Sequence, residues 1–574
     1  MRHLIRIAAI ALGLCAPALP AATLEVAVRH SFNGEPLLLD SLRYANATGE
    51  TLSFTRISYL LTGFALERDD GAWVEIPGSR AWMDVAAHRA SARFAGVPAG
   101  RYRALRFHIG PDTATNAADP AKLPGDDPLN PNLNGLHWSW QGGYIFLAME
   151  GRYRNAAPDL KAYTYHLARD PNRVRISLAA MIDLTHDATA LIDFDLGALL
   201  NAPRPLSFEK DGAATHSRDG DPVAAALVAN LPSAFRVAKI LSATPAISQP
   251  APIKPLYLPE KFTPYRFTMS GTFPVPDLPR DNPLIEERVA LGRALFNDTA
   301  LSRDGTIACA SCHQSASAFS DPRRYSIGVQ NQVGKRHAMP LFNLAWKTSF
   351  FWDGRAPSLR AQALVPIQDP AEMNETLDRV TAKLAASPTY SRLFSAAFGS
   401  PEITAEKLGL ALEQYLLSLT AYESKFDLAM RGKAALSDDE KRGFELFMTE
   451  YDTRTGQLGA DCFHCHGGPL FSDHQFHNNG LAATDDEGRY GVTHLEPDRG
   501  KFATPGLRNV ARRPPYMHDG RFATLEEVVA HYSTGIHRSP TLDPNLAKHP
   551  QGGLRLSAAD QRALVAFLKT LTDH

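Results

Sequence analysis

Cys309-Ala310-Ser311-Cys312-His313 and Cys462-Phe463-His464-Cys465-His466 are two copies of one five-residue pattern, and they decide how the second half of the chain is read. Two thiols three positions apart can each form a thioether with one porphyrin, and the histidine that follows turns onto its iron as the proximal ligand. A disulfide, a thioredoxin-like pair and a zinc knuckle are the other uses of such spacing. Two complete copies with no further cysteine in residues 23–574 favour haem over these. The expectation is two covalent c-type haems, one held by Cys309, Cys312 and His313, the other by Cys462, Cys465 and His466. The motifs begin 153 positions apart, which suits one haem in each of two cytochrome-like lobes.

Around the motifs the pattern is helical. Leu408, Leu412, Leu416 and Leu419 share one face at helical spacing, and Ser437 with Glu440, Thr524 with Glu527 and Ser557 with Asp560 read as capping boxes. Earlier in the chain the period is two: Leu24, Val26 and Val28, then Leu105, Phe107 and Ile109, then Val174, Ile176 and Leu178 alternate with polar or small residues. Prolines crowd residues 243–279 (Pro245, Pro250, Pro252, Pro255, Pro259, Pro264), as in an extended linker. The organisation expected is multidomain: an all-β antiparallel sandwich over 23–242, a proline-rich linker over 243–279, and a mainly α region with two c-type lobes over 280–574.

The first 22 residues form a leader-like segment, with Arg2 and Arg6, the apolar run Ile7–Leu14 and a small-residue end at Ala21-Ala22. Export to the periplasm is the expectation, and no later stretch reaches the roughly 20 apolar residues of a membrane span. Cys15 follows Leu14 rather than a small residue, which disfavours a lipid anchor. Removing Arg2 and Arg6 with no acids moves the formal charge from −1 to −3, so there is no basic excess to neutralise nucleic-acid phosphates. With 574 residues, 44% hydrophobic and 21% charged, the composition is that of several globular domains and excludes collagen-like, coiled-coil and wholly disordered chains.

Residues from about 280 to 570 resemble the bacterial diheme cytochrome c peroxidase superfamily through Trp352-Asp353-Gly354-Arg355, Leu507-Arg508-Asn509-Val510 and Pro515-Tyr516-Met517-His518-Asp519-Gly520. The resemblance implies a distal ligand to the second haem fourteen positions after His518, at Tyr532, where ordinary peroxidases carry methionine. A phenolate there stabilises oxidised iron, the pattern of the MauG subclass. In ordinary peroxidases a histidine in a Ser-Ile-Gly-His segment blocks the first haem; this chain has Ser326-Ile327-Gly328-Val329, so that iron is expected to stay open to peroxide. The same resemblance implies Gln362, Pro366 and Glu372 on the distal side of the first haem, with Glu372 as proton shuttle, and Trp352 between the haems, sharing two oxidising equivalents as a bis-ferryl state. Arg513 and Pro515 match backbone calcium ligands of the family, with His337 in place of the usual asparagine, a poor exchange for a cation that prefers oxygen.

The segment Leu136-His137-Trp138-Ser139-Trp140-Gln141-Gly142-Gly143-Tyr144 is similar to the copper-binding MbnP family, as are Arg29–Gly34 and Tyr163–Leu167, although that family's cysteine pairs are absent. The gene partner of MbnP is a MauG-like diheme enzyme, MbnH, which converts a tryptophan of the copper protein to kynurenine. The resemblance implies a fused, self-maturing protein. Hydrogen peroxide drives oxidation of Trp138 or Trp140, within the chain or in a neighbouring copy, and His30, His137 and His166 with the modified ring hold copper. Trp138 and Trp140 are expected on one strand face with His137 on the other. A dimer and a redox partner protein are compatible with this reading. The alternatives are an ordinary diheme cytochrome c peroxidase and a non-catalytic electron-transfer or copper-binding protein.

Overall fold

The computed structural model describes residues 21–138, 142–155, 160–242, 255–452 and 457–573. Its first half contains the strands β1 (Ala21–Phe32), β2 (Thr51–Arg68), β3 (Arg80–Asp84), β4 (Ser91–Pro98), β5 (Arg101–Ile109), β6 (Ile145–Arg154), β7 (Lys161–Ala168), β8 (Val174–Asp183), β9 (Ala188–Asp195), β10 (Ala214–Thr215) and β11 (Phe235–Ser242). They form two sheets. One runs β11-β9-β1 with β4 also on β1, and the larger runs β8-β5-β2-β6-β7-β10 with β3 on β2.

The alternation in the sequence becomes the sandwich core: Leu24, Val26, Leu105, Phe107, Ile109 and Ile176 are all buried. The sandwich is not wholly antiparallel, for β1 pairs with β9 and β7 with β10 in parallel. A parallel pair needs a long crossover, and here every strand of the larger sheet except β10 lies in the chain between β1 and β9. Two helices, α1 (Leu196–Asn201) and α2 (Pro222–Ala234), close this domain, each started by an aspartate cap, Asp195 and Asp221. Ala21 and Ala22, the last residues of the expected leader, pair with Pro98 and Val97 at the start of β1, while residues 1–20 lie outside the described residues.

The proline-rich segment is extended, as its lack of amide donors requires, but from residue 255 it is built into the next domain rather than hanging free. Phe273 is fully buried, its ring 5.3 Å from Trp346, and the Trp346 indole N–H donates to the Pro274 carbonyl at 2.7 Å. Residues 243–254 lie outside the described residues.

The second half is helical, with α3 (Glu286–Phe296), α4 (Cys309–Cys312), α5 (Leu359–Gln368), α6 (Ala405–Ser418), α7 (Asp438–Met448), α8 (Phe463–His466), α9 (Leu525–Thr534) and α10 (Ala558–Lys569) among its elements. Full capping boxes open α7 at Ser437 and α9 at Thr524, and Ser557 caps α10. There are two apolar cores. One belongs to the first-motif lobe and includes Leu291, Trp346, Phe394 and Leu412. The other runs without a break from the β-sandwich into the second-motif lobe, joining Leu24 and Phe107 to Phe447, Phe463, Val529 and Phe567.

The domains are therefore docked. The Arg152 guanidinium donates to the Leu542 carbonyl, and the Asn130 and Asn132 side-chain amides donate to the carbonyls of Val275 at 3.3 Å and Trp346 at 3.2 Å. Gly125 meets the Pro276-Asp277 backbone so closely that a Cβ would lie 2.7 Å from the Asp277 nitrogen. Among the described residues no helix is long and apolar enough to cross a membrane.

Candidate di-haem site and the domain seam

Each haem motif begins in a single helical turn, α4 or α8, which sets thiols three residues apart on one side of the chain. All four cysteines are free of disulfides. His313 Nδ1 lies 3.0 Å from the Phe319 carbonyl oxygen, and His466 Nδ1 lies 3.1 Å from that of Phe471. A carbonyl only accepts, so Nδ1 carries the proton in both rings and Nε2 is left as the metal-facing nitrogen. Burial lowers both imidazoles, His466 to about 4, which keeps them neutral as iron ligands must be. The donor set fits two c-type haems.

On the first-motif side, Gln362 and Pro366 stand one helical turn apart on α5, both half-buried. The turn after α5 brings Glu372 back, with its amide donating to the Asp369 carbonyl at 3.0 Å and the Met373 amide donating to the Pro366 carbonyl at 3.2 Å. Burial first, then the Asp369 charge, raises the Glu372 carboxyl to about 7 against the opposing pull of Arg355. Burial, the neighbouring thiol and the Glu372 charge together push Cys309 up to about 12, which puts this carboxyl within electrostatic reach of the attachment site. Val329 is buried with its amide 2.8 Å from the Glu372 carbonyl. Gly328 fits there because a Cβ would lie 2.2 Å from the Ala371 oxygen. The segment carries no side chain that can ligate iron.

On the second-motif side, Tyr532 projects from α9, half-buried. Burial raises its phenol well above the ordinary range against the pull of the Asn479 hydrogen bond, with the charges of Cys465 and Cys462 adding to the effect. The Asn479 amide donates to the Tyr532 oxygen at 3.3 Å, while His531 Nε2 donates to the Asn479 carbonyl at 3.0 Å. Asn479, which sequence reasoning missed, thus fastens two successive residues of α9.

Trp352 is buried between the two lobes. Its indole N–H donates to the His337 carbonyl at 2.8 Å, its own carbonyl accepts from the Ala503 amide at 2.8 Å, and its ring lies 6.5 Å from that of His518. His337 is buried, with Nε2 3.1 Å from Ser320 Oγ. The Arg513 charge helps to lower His337 after burial. A buried guanidinium beside His337 works against a divalent cation at the expected Arg513–Pro515 site. Among the described residues, no group of His, Cys, Asp and Glu able to hold a metal includes His337.

The candidate copper ligands fall in different places. His30 on β1 turns into the sandwich core, with Nε2 2.9 Å from the Tyr59 hydroxyl and its ring 6.0 Å from Phe194. His137 rests edge-on against Tyr144 at 4.6 Å, in an isolated bridge rather than a strand. Trp138 ends that bridge and begins a tight loop, in which the Gly142 amide donates to the Trp138 carbonyl at 2.8 Å and the Trp138 amide to the Gly143 carbonyl at 3.0 Å. The expected strand face therefore does not extend through Trp138; Trp140 lies outside the described residues.

His166 on β7 does reach Trp138, ring to ring at 6.4 Å, and His166 also meets two histidines the sequence reading passed over, one of which touches Trp138 as well. His216, following β10, stands 5.5 Å from Trp138, 5.0 Å from His166 and 5.2 Å from His464. His464 is the residue between the two cysteines of the second haem motif, stacked on Phe463 at 4.3 Å. Carboxylates back the rings: His166 Nε2 is 2.9 Å from Glu150 Oε1, and His464 Nε2 is 3.0 Å from Glu450 Oε2. Burial works against a charge on His464, but Glu450 and Asp461 outweigh it and raise the ring to about 9. Nothing in local spacing joins His166, His216 and His464; the surplus histidine inside the motif was the one available signal.

Two family models match the chain. The di-haem cytochrome c peroxidase model covers residues 286–435 and the MbnP model residues 21–217. The methylamine utilization protein MauG of Methylorubrum extorquens is 41% identical over 297 residues, spanning 51% of this chain and 80% of that protein. The cytochrome c551 peroxidase of Nitrosomonas europaea is 33% identical over 314 residues, spanning 53% of this chain and 85% of that protein. A solved MauG-like protein associated with microbial copper homeostasis is 32% identical, covers 57% of this chain and 96% of its own, and superposes with a TM-score of 0.46.

Proposed function

This chain belongs to the di-haem cytochrome c peroxidase family, and from that premise we propose that it is an exported, periplasmic oxidoreductase that uses hydrogen peroxide to oxidise Trp138 of its own N-terminal domain, which binds copper. The observation that carries the reading is the position of that indole. Trp138 is 5.5 Å from His216, His216 is 6.2 Å from Phe463, and Phe463 sits between Cys462 and His464 in the second haem motif. A short aromatic path in one chain links the indole to the second haem's attachment turn.

When bound, the two haems supply peroxide activation and storage of its oxidising equivalents. The protein's residues manage the protons and the electron path. With a carboxyl near 7, Glu372 can accept a proton from the inner oxygen of hydroperoxide and return it to the outer, leaving oxygen. Val329 has no side-chain atom that could ligate a metal, so the segment 326–329 would not supply a ligand to the first haem. Trp352 bridges the lobes, and Tyr532, once its proton is lost, offers an anionic oxygen held by the Asn479 amide. At Trp138, two equivalents of hydrogen peroxide place two oxygen atoms across the indole C2–C3 bond, which breaks, and two waters leave. Hydrolysis then releases formate and exposes an aryl amine, a nitrogen with the free lone pair that indole lacks.

Intact mass before and after peroxide tests this. The reading expects the mass gain of ring opening in the wild type and its loss in Trp138→Phe. A protein that consumes peroxide with a donor cytochrome and leaves its N-terminal tryptophans intact is an ordinary peroxidase, and the reading fails.

A further inference from the structure

Three clusters among the described residues bring three potential metal-binding side chains together, and two of them are already explained. Cys465, Asp473 and His477 include a haem cysteine, and both ring nitrogens of His477 are taken by carboxylates, Nε2 by Asp473 at 2.8 Å and Nδ1 by Asp543 at 2.6 Å. Glu450, Asp461 and His464 already hold a cation, because the Lys548 ammonium bridges the two carboxylates. The third cluster has no such occupant. The ligand nitrogens of His166, His216 and His464 lie within 4.8 Å of one another, although the residues come from β7, the stretch after β10 and the second haem motif.

We propose that His166, His216 and His464 form one copper site across the domain seam, in which the haem-attachment motif itself donates a ligand. This rests on the reading of the N-terminal domain as copper-binding and adds a ligand from the other domain. The ring nitrogens are prepared for it. His166 Nε2 is taken by Glu150, and its Nδ1 is buried without a hydrogen-bond partner. His464 Nε2 is likewise taken by Glu450, leaving Nδ1. His216 Nε2 stands 3.0 Å from Glu450 Oε2 but makes no hydrogen bond.

A carboxylate behind a histidine fixes the tautomer and strengthens the other nitrogen as a donor, the usual outer arrangement of a metal site. Three imidazoles under an aromatic cover of Trp138 and Phe463 suit copper, whose affinity for nitrogen donors leads the first-row series. The three side chains are nearly closed to solvent, at 3%, 12% and 3% exposure, so an ion held here is withdrawn from water. His464 is two residues before His466, so occupancy registers at the second haem as well as on the seam.

Copper(I) titration of the haem-loaded full chain against a competing chelator is the test, with covalent haem counted in every sample. The wild type is expected to bind one equivalent and to shift the second haem's low-spin ferric spectrum on binding. His464→Gln and His216→Gln should each weaken binding by at least tenfold, of the order seen when metal-site histidine partners are lost, and abolish the spectral shift. Should His464→Gln lack its second haem, His216→Gln, outside the motif, decides alone. Wild-type affinity in the variants that retain both haems overturns the seam site while leaving copper binding by the N-terminal domain intact. No copper uptake by the wild type overturns both, and peroxide-driven oxidation of Trp138 is scored separately by mass.

Discussion

The first-motif lobe closes around an apolar core of its own, whereas the second-motif lobe shares one continuous core with the β-sandwich. The five-residue attachment pattern and the histidine-to-carbonyl hydrogen bond are the same in both, at 3.0 Å and 3.1 Å. What differs is the surroundings. The first has a carboxyl raised to about 7 and a valine where a ligand would otherwise stand; the second has a tyrosine, a cluster of histidines and a buried indole. On the proposed reading, the same attachment chemistry serves two tasks, peroxide activation in the lobe that stands alone and oxidation of protein in the lobe docked on the β-sandwich.

The largest way to break this division is Tyr532→Met. Exchanging a hard anionic oxygen for a thioether should raise the second haem's potential by a few tenths of a volt, within the roughly 0.8 V that axial ligands span. Redox titration checks the potential, and Trp138 oxidation by peroxide should be lost. An unchanged potential would remove Tyr532 from the iron.

Glu372→Gln acts on the other lobe and should slow peroxide activation by about 10²–10⁴-fold in stopped-flow measurements, the range for losing a general acid-base group. The same residue sets a pH dependence. The ionised carboxylate is the form that accepts the proton, and burial with Asp369 holds its pKa at about 7 against Arg355. The wild-type rate should thus rise through pH 7 and level off above it, while the glutamine variant is flat across that range. A wild-type profile without this rise would assign the proton to another group.

Asn479→Ala probes the second lobe more gently. It removes one hydrogen bond to the Tyr532 oxygen, worth about 1 kcal/mol, and should shift the second haem's ferric spectrum and slow Trp138 oxidation by less than tenfold. A loss as large as that of Tyr532→Met would mean that Asn479 holds α9 in place rather than tuning one oxygen.

Sequence reading recovered the parts of this comparison that are local. The haem motifs announce themselves by spacing, the strands by alternation at Leu105, Phe107 and Ile109, and the helix starts by boxes such as Ser437 with Glu440. Tyr532, Glu372 and Trp352 were reached through a family pattern, and in the structure Glu372 and Trp352 are held by neighbours of the first lobe and the seam between lobes, Tyr532 by Asn479. The parallel β1–β9 pairing and the docking of the two domains were not legible, because register and interdomain contact depend on residues far apart in the chain. The histidines expected to hold copper show the limit most clearly. His30 and His137 stand in segments that look suitable, yet one turns into the core beside Tyr59 and the other onto Tyr144. His216, in contrast, meets His166 because β10 pairs with β7, and His464 meets both because the second lobe packs against those strands.

The account stands on oxidation of an indole by the haems of its own chain. Its most direct test is the rate at which the peptide containing Trp138 gains mass after peroxide, followed over a wide range of protein concentration. The structure leads us to expect a gain confined to Trp138 with a rate independent of dilution. A rate that climbs in proportion to protein concentration, or a gain that falls on another tryptophan, would contradict it.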